Sequence, residues 1–279
     1  MVRAIRSRTT FVLFLVASFL GVLPGHLAAA AERGLDAGYA IYIGGFQVAK
    51  ADLRVGLQAD CFDIRLSAEP QGIVSYFSTF KLESQADVCN GGEGVVPASY
   101  RSDYYKEGRK KRWVVLDYVG RSPVAVRVKP EAAKDRRAVV PAELRAGSLD
   151  PISASVAIIE ALAREGRCTG ERPVYDGRRL FRLTLQHVGT KDIGHSRYAA
   201  YAGPATECLV KVETIAGFKK NEIRKKHFPE RIRIFLAEAV PGTPVLPVRM
   251  EADYRFGQIR IHASTIQPHG QVTKESRLR

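Results

Sequence analysis

From about Ala49 onward, apolar and polar residues take turns along most of the chain, and a period of two means strands that bury one face. Ala49, Ala51, Leu53, Val55 and Leu57 alternate with Lys50, Asp52, Arg54 and Gln58. Phe62, Ile64, Leu66 and Ala68 then alternate with Asp63, Arg65, Ser67 and Glu69. With Asp60-Cys61 as a short connection, these runs predict an antiparallel hairpin. A third run sets Val74, Tyr76, Phe80, Leu82 and Ala86 against Ser75, Thr79, Lys81, Glu83 and Gln85. It extends the meander after a turn at Pro70-Gln71-Gly72, and Phe77-Ser78 reads as a bulge within it.

Glycines 91, 92 and 94 mark a loop. Beyond it, Tyr100 to Tyr105 and Arg112 to Val119 read as a hairpin with its tip at Glu107-Gly108-Arg109-Lys110, and Val124 to Val128 as a further strand. One segment then changes period. Asp150-Pro151 offers an N-cap and a favoured first helical residue, Ile152, Val156, Ile159 and Ala163 recur at helical spacing, and Gly166 supplies a stop. Strands resume over Arg178 to Val188, Ser196 to Ala202, Glu207 to Ile215, Lys225 or Glu230 to Glu238, Pro247 to Phe256 and Gln258 to Ser264. So many antiparallel strands must curl or stack to hide their apolar faces. The expected fold is mainly β: a curved antiparallel sheet forming an open barrel or sandwich, with one short helix packed on it. It occupies a single domain over residues 31–266, followed by a flexible basic tail over 267–279.

The N-terminus follows a different logic. Arg3, Arg6 and Arg8 precede an apolar run from Phe11 to Leu23, and Ala28-Ala29-Ala30-Ala31 follows. This is the order of a cleavable signal peptide over residues 1–30, with cleavage after Ala30 or Ala31. The run is about 13 residues, whereas an uncleaved anchor needs roughly 20 to span a bilayer. Export to the periplasm is the expectation.

That expectation reinterprets the composition. The net charge is +14, of which the signal carries three arginines. An exported protein with such an excess faces lipid head groups, acidic glycans or acidic proteins, not nucleic acid. The four cysteines, Cys61, Cys89, Cys168 and Cys208, form no C-x-x-C pair, and in an oxidising compartment they read as two disulfides. Three connectivities are open, and the sequential one is favoured. A tight turn at Pro70-Gln71-Gly72 would, however, place Cys61 opposite about Lys81, so that pairing requires a bend or bulge.

Candidate chemistry is sparse. His187, His195, His227, His262 and His269 lack metal-binding spacing. Gly194-His195-Ser196-Arg197 is not a nucleophile elbow, and Gly91-Gly92-Glu93-Gly94 is not a phosphate cradle. Asp176-Gly177 reads as a turn. No catalytic set, metal site or cofactor motif emerges. The basic clusters are more informative: Arg109, Lys110, Lys111 and Arg112 at a hairpin tip, Lys134-Asp135-Arg136-Arg137 in a loop, and Lys219 and Lys220 followed by Arg224, Lys225 and Lys226. They read either as solvated loops or as a docking patch for lipid phosphates or an acidic envelope partner. Trp113, on an alternating strand, reads as core.

Tyr39-x-Ile41 with Gly44-Gly45, Pro97-x-x-Tyr100, Asp150-Pro151-Ile152-Ser153-Ala154, Asp176-Gly177-Arg178-Arg179, Tyr201-x-Gly203-x-Ala205-x-x-Cys208 and Leu246-Pro247-Val248-Arg249 occur in this order. In this succession the chain resembles a bacterial exported family known only as domain of unknown function 3108. The resemblance implies a periplasmic, mostly antiparallel protein without catalytic residues to carry over. Its shape is expected to be similar to open half-barrels that hold acyl chains, and the spacing of Cys168 and Cys208 suits a bridge from the helix end to the sheet. The functional expectation is a non-enzymatic binding or envelope-maintenance protein holding a lipophilic ligand. The alternatives are docking on an acidic partner and, third, a hydrolase that would need His195 or His262 beside a carboxylate.

Overall fold

The computed structural model describes residues 33–92, 94–109, 111–131, 134–135, 137–219, 229, 231–254 and 257–269. Residues 1–30, forecast as a signal peptide, lie outside the described residues.

Among the described residues, thirteen strands form one antiparallel sheet. The first seven are β1 (Arg33–Ile43), β2 (Phe46–Gln58), β3 (Cys61–Pro70), β4 (Phe80–Gly91), β5 (Gly94–Lys106), β6 (Arg112–Val119) and β7 (Ser122–Lys129). Helices α1 (Ala142–Arg145) and α2 (Pro151–Glu165) follow. The chain then continues through β8 (Gly170–Tyr175), β9 (Leu180–Ile193), β10 (Gly203–Ala216), β11 (Arg231–Ala237), β12 (Leu246–Tyr254) and β13 (Gly257–His269). Two meanders of nearest-neighbour hairpins join where β13 returns to pair with β1, leaving β7 and β8 as the edges.

The alternation forecast for β2 and β3 holds because their apolar positions face the core, as with buried Ala49, Ala51 and Ile64. The third forecast strand is corrected. Gly72–Tyr76 forms a 3-10 turn with no buried residue, and the strand begins only at Phe80. This longer connection removes the register problem, because Cys61 lies directly opposite Cys89. Both disulfides, Cys61–Cys89 and Cys168–Cys208, have the sequential pairing. The second joins the segment after α2 to β10, and both of its cysteines are buried.

Three further forecasts change. Ser196 to Ala202 is not a strand but a connection whose Ala200 N–H donates to the Ala263 carbonyl, 2.7 Å. Strand β8 was not anticipated, since Gly170-Glu171-Arg172-Pro173-Val174-Tyr175 does not alternate and carries a proline, which an edge strand tolerates. The first three residues of the forecast tail belong to the sheet, because Gln267, Pro268 and His269 pair with Asp36, Leu35 and Gly34, and the rest of it lies outside the described residues.

Helix α2 matches its forecast at both ends. The Asp150 carboxylate accepts from the N–H groups of Ile152 and Ser153, and Gly166 closes the helix in the left-handed conformation. Burial pushes the Asp150 carboxyl above the usual range, against the hydrogen bonds it accepts from Ser153 and Ile152. The helix lies in the concave face. Its Ile152, Ala154, Val156 and Ala157 share a core with Ile64, Ala86, Tyr100 and Leu116 from one half of the sheet and Val174, Tyr175 and Leu180 from the other. Leu149, just ahead of it, bridges β8 in parallel, its N–H donating to Pro173 and its carbonyl accepting from Tyr175. That covers part of an otherwise open sheet edge.

Candidate functional site

Two hollows compete as sites, and chemistry separates them. The smaller, about 670 Å³, lies on the outer face across β1 to β5. Successive pairings there align Asp36, Arg54, Arg65, Gln85 and Arg101 in one row and Gly38, Asp52, Ser67, Glu83 and Asp103 in the next. Arg54 pairs with Asp36, Arg65 with Asp63 and Arg101 with Asp103. Charges so engaged make a solvated, ion-paired wall.

The larger hollow, about 1470 Å³, opens at one end of the concave face. Cross-strand register builds its wall. Leu66 is opposite Ser84, Ser84 opposite Ser102, Ser102 opposite Val114 and Val114 opposite Val128, while Leu82 is opposite Tyr104 and Tyr104 opposite Arg112. Trp113 is half-buried at the margin of this lining instead of lying in the core as forecast; opposite Asp103 and between the inward Arg112 and Val114, its side chain belongs to the outer face. Pro151 and Ile152 of α2 form part of the floor, so the helix fills one part of the barrel and leaves this part open. Within the strands Ser84 Oγ donates to Ser102 Oγ, 2.9 Å, and burial pushes the Tyr100 phenol up to about 12, so it stays neutral, while the many charged lining residues, such as Lys106, Arg112 and Lys129, stand at and beyond the strand ends.

Above this wall the charges are concentrated around one carboxylate. Asp135 is 6% exposed. It accepts both guanidinium nitrogens of Arg112 at 3.2 and 2.8 Å, Arg137 Nε at 2.7 Å and Lys219 Nζ at 3.0 Å, with Arg178 Nη1 at 3.5 Å. Burial opposes its ionisation, but the hydrogen bonds from Arg112, Lys219 and Arg137 prevail and hold the carboxyl well below the usual range. Arg178 also donates to the Pro130 carbonyl, 2.8 Å, and Arg137 to the Gly217 carbonyl, 3.0 Å. The cluster thereby joins the ends of β6 and β7 to the β8–β9 turn and the segment after β10, drawing the two ends of the sheet together. Among the described residues ten lysines and arginines line the hollow against the acids Glu131 and Asp176, a positive surplus.

The forecast docking patch maps onto this mouth in part. Arg109, Lys111, Arg112 and Lys219 all line it. Lys110, Lys220, Arg224, Lys225 and Lys226 lie outside the described residues. Arg112 is the first residue of β6, where the strand was forecast to begin, and both it and Lys219 hold Asp135. The Lys134–Arg137 loop was read as a basic cluster, yet its one acid is the organising group. Nothing in the local sequence announces this, because its partners come from β6, the β8–β9 turn and the β10–β11 connection as well as Arg137.

The hydrolase alternative required His195 or His262 beside a carboxylate. His195 is exposed. His262 packs edge-on against Tyr42, with ring centroids 6.0 Å apart, and burial together with Arg249 and Arg260 lowers its pKa. Among the described hydrogen bonds none links either residue to a carboxylate. Asp176 is a turn residue, as forecast, accepting from the Arg178 and Arg179 N–H groups at 2.9 and 2.7 Å.

Among curated proteins nothing matches the chain. Among solved structures it is similar to a beta-barrel-like protein of domain of unknown function DUF1849 from Brucella abortus, at 11% identity and a TM-score of 0.49, over 86% of this chain and 100% of that one. A family profile matches residues 38–264, most of the chain, and the chain belongs to the family described as Protein of unknown function (DUF3108).

Proposed function

We propose that this is an exported cell-envelope binding protein that holds a lipophilic ligand with an anionic head group in the larger hollow. The observation that carries the reading is the division of that hollow, with Leu66, Leu82, Tyr104 and Val128 on its wall and a surplus of cations at its mouth. Apolar walls take up an acyl chain at about 0.8 kcal/mol per buried methylene. A carboxylate or phosphate at the other end gains charge-assisted hydrogen bonds from arginine and lysine. The volume, about 1470 Å³, exceeds the roughly 300–1,000 Å³ common for small-molecule sites, so a chain and its head group fit. The signal-like order of Arg3 to Ala31 and the two disulfides support work outside the cytoplasm.

Native mass spectrometry of protein purified from its own envelope without detergent tests this. The expected result is a mass adduct, recovered as lipid on solvent extraction and lost in the Leu82→Glu variant, which places a carboxylate on the apolar wall. A clean ligand-free mass, or an adduct unaffected by that substitution, overturns the reading.

A further inference from the structure

Four large apolar side chains stand in solvent at the same end of the sheet as the cationic mouth: Phe46 is 72% exposed, Ile73 63%, Tyr76 85% and Phe77 84%. Register fixes their place. Phe46 opens β2 just after the Gly44-Gly45 turn, and the 3-10 turn carrying Ile73 and Tyr76 joins β3 to β4 at the end where Ala68 faces Leu82 and Phe80 faces Lys106. The 3-10 turn is fastened to the start of β2, with the Gln71 N–H donating to the Val48 carbonyl at 3.0 Å. The next tip is fastened to the same β3–β4 connection: Glu107 N–H donates to the Thr79 carbonyl, 3.2 Å, and Thr79 Oγ1 to the Glu107 carboxylate, 2.8 Å. That tip carries Arg109 and leads to Lys111.

The 3-10 turn buries none of its residues, so core packing does not account for its apolar composition. An exposed group of this size on a water-facing surface marks an interaction site. We propose that this end of the barrel docks on the surface of an anionic phospholipid bilayer, with Phe46, Ile73, Tyr76 and Phe77 inserted at the head-group level and Arg109 and Lys111 against the phosphates. The docking does not depend on whether the hollow holds a ligand. Two arguments select a bilayer as the occupant. The side chains project from turns instead of lining a groove, whereas a stable protein partner needs a complementary face of roughly 800 Å² on each side. Aromatic side chains beside lysine and arginine are also the composition of membrane interfaces, where each basic residue near an anionic surface adds to the attraction.

Vesicle flotation with the exported protein checks the proposal, comparing vesicles of phosphatidylethanolamine and phosphatidylglycerol with vesicles of phosphatidylcholine. Binding to the anionic vesicles is expected, with a loss of roughly tenfold or more in the Tyr76→Ser/Phe77→Ser variant and a comparable loss in Arg109→Glu/Lys111→Glu. Because Tyr76 and Phe77 are exposed, an unchanged melting temperature shows that the first variant is folded. In a Phe77→Trp variant, brominated phospholipids should quench fluorescence beyond what wild-type Trp113 shows. Equal binding by wild type and the Tyr76/Phe77 variant, equal binding to neutral vesicles, or capture by an acidic envelope protein with no vesicle binding overturns the proposal.

Discussion

Val114 on β6 and Gly177 in the β8–β9 turn are packed so closely that a methyl group on Gly177 would lie 2.1 Å from Val114 Cγ1. The two residues belong to opposite ends of the sheet, one strand in from β7 and next to β8. The barrel is open by hydrogen bonding, yet it is shut by side-chain packing at this point.

Replacing Gly177 with alanine should therefore destabilise the protein by about 2–4 kcal/mol. Its φ of +86° is unfavourable for a side chain, and the added carbon meets a buried valine. Urea unfolding of Gly177→Ala, Val114→Ala and the double variant measures the coupling. The double variant should lose less than the sum of the single ones, whereas strict additivity would mean that the contact does not bear on stability.

Asp135 holds the same seam from the charged side. Asp135→Asn removes the carboxylate that the largely buried Arg137 and Arg178 share, at a cost of about 3–5 kcal/mol toward the lower end, because Arg112 and Lys219 reach solvent. The pH dependence has a definite sign. A carboxyl held below its unfolded value of about 3.9 contributes stability that is complete above that pH and fades as pH falls toward the folded value. Denaturation midpoints of the wild type should fall on acidification below about pH 4, and the Asn variant should lack this share of the decline. Parallel curves for the two proteins would assign the acid sensitivity elsewhere.

The two disulfides should differ in their accessibility to reductant. Cys61 is exposed at the start of β3, while Cys168 and Cys208 are fully buried. Dithiothreitol without denaturant, followed by alkylation and mass mapping, should label Cys61 and Cys89 first. Removing either bridge by paired serine substitution should cost about 2–4 kcal/mol, with the 40-residue loop of Cys168–Cys208 at the upper end. Simultaneous labelling of all four cysteines in the folded protein would contradict this order.

Much of the fold was legible because its signals are local. Alternation marked β2, β3 and β12, and Asp150 and Gly166 bracketed α2. The error at Val74 and Tyr76 has a physical reason: apolar residues at alternating positions look alike whether they face a core or stand in solvent on a turn. β8 was invisible because an edge strand with Pro173 has little pattern to show. The site was legible only in halves. Arg109, Lys111, Arg112 and Lys219 were visible as basic clusters and the concave sheet as a possibility of the fold, but their convergence on one mouth depends on long-range pairing. The role of Asp135 depends on it entirely, since Arg178 is 43 residues away and Lys219 is 84.

A Tyr104→Trp/Trp113→Phe variant offers the most direct measurement of the central claim, because Tyr104 lines the hollow, whereas Trp113, the single native tryptophan, faces the other side of the sheet. A fatty acid brominated along its chain, titrated below its micelle concentration, should quench the tryptophan fluorescence of this variant saturably, while the unbrominated acid competes and Leu82→Glu abolishes the effect. Absence of quenching in delipidated, folded protein, or quenching that rises linearly without saturation and survives Leu82→Glu, would contradict a lipophilic ligand in the hollow.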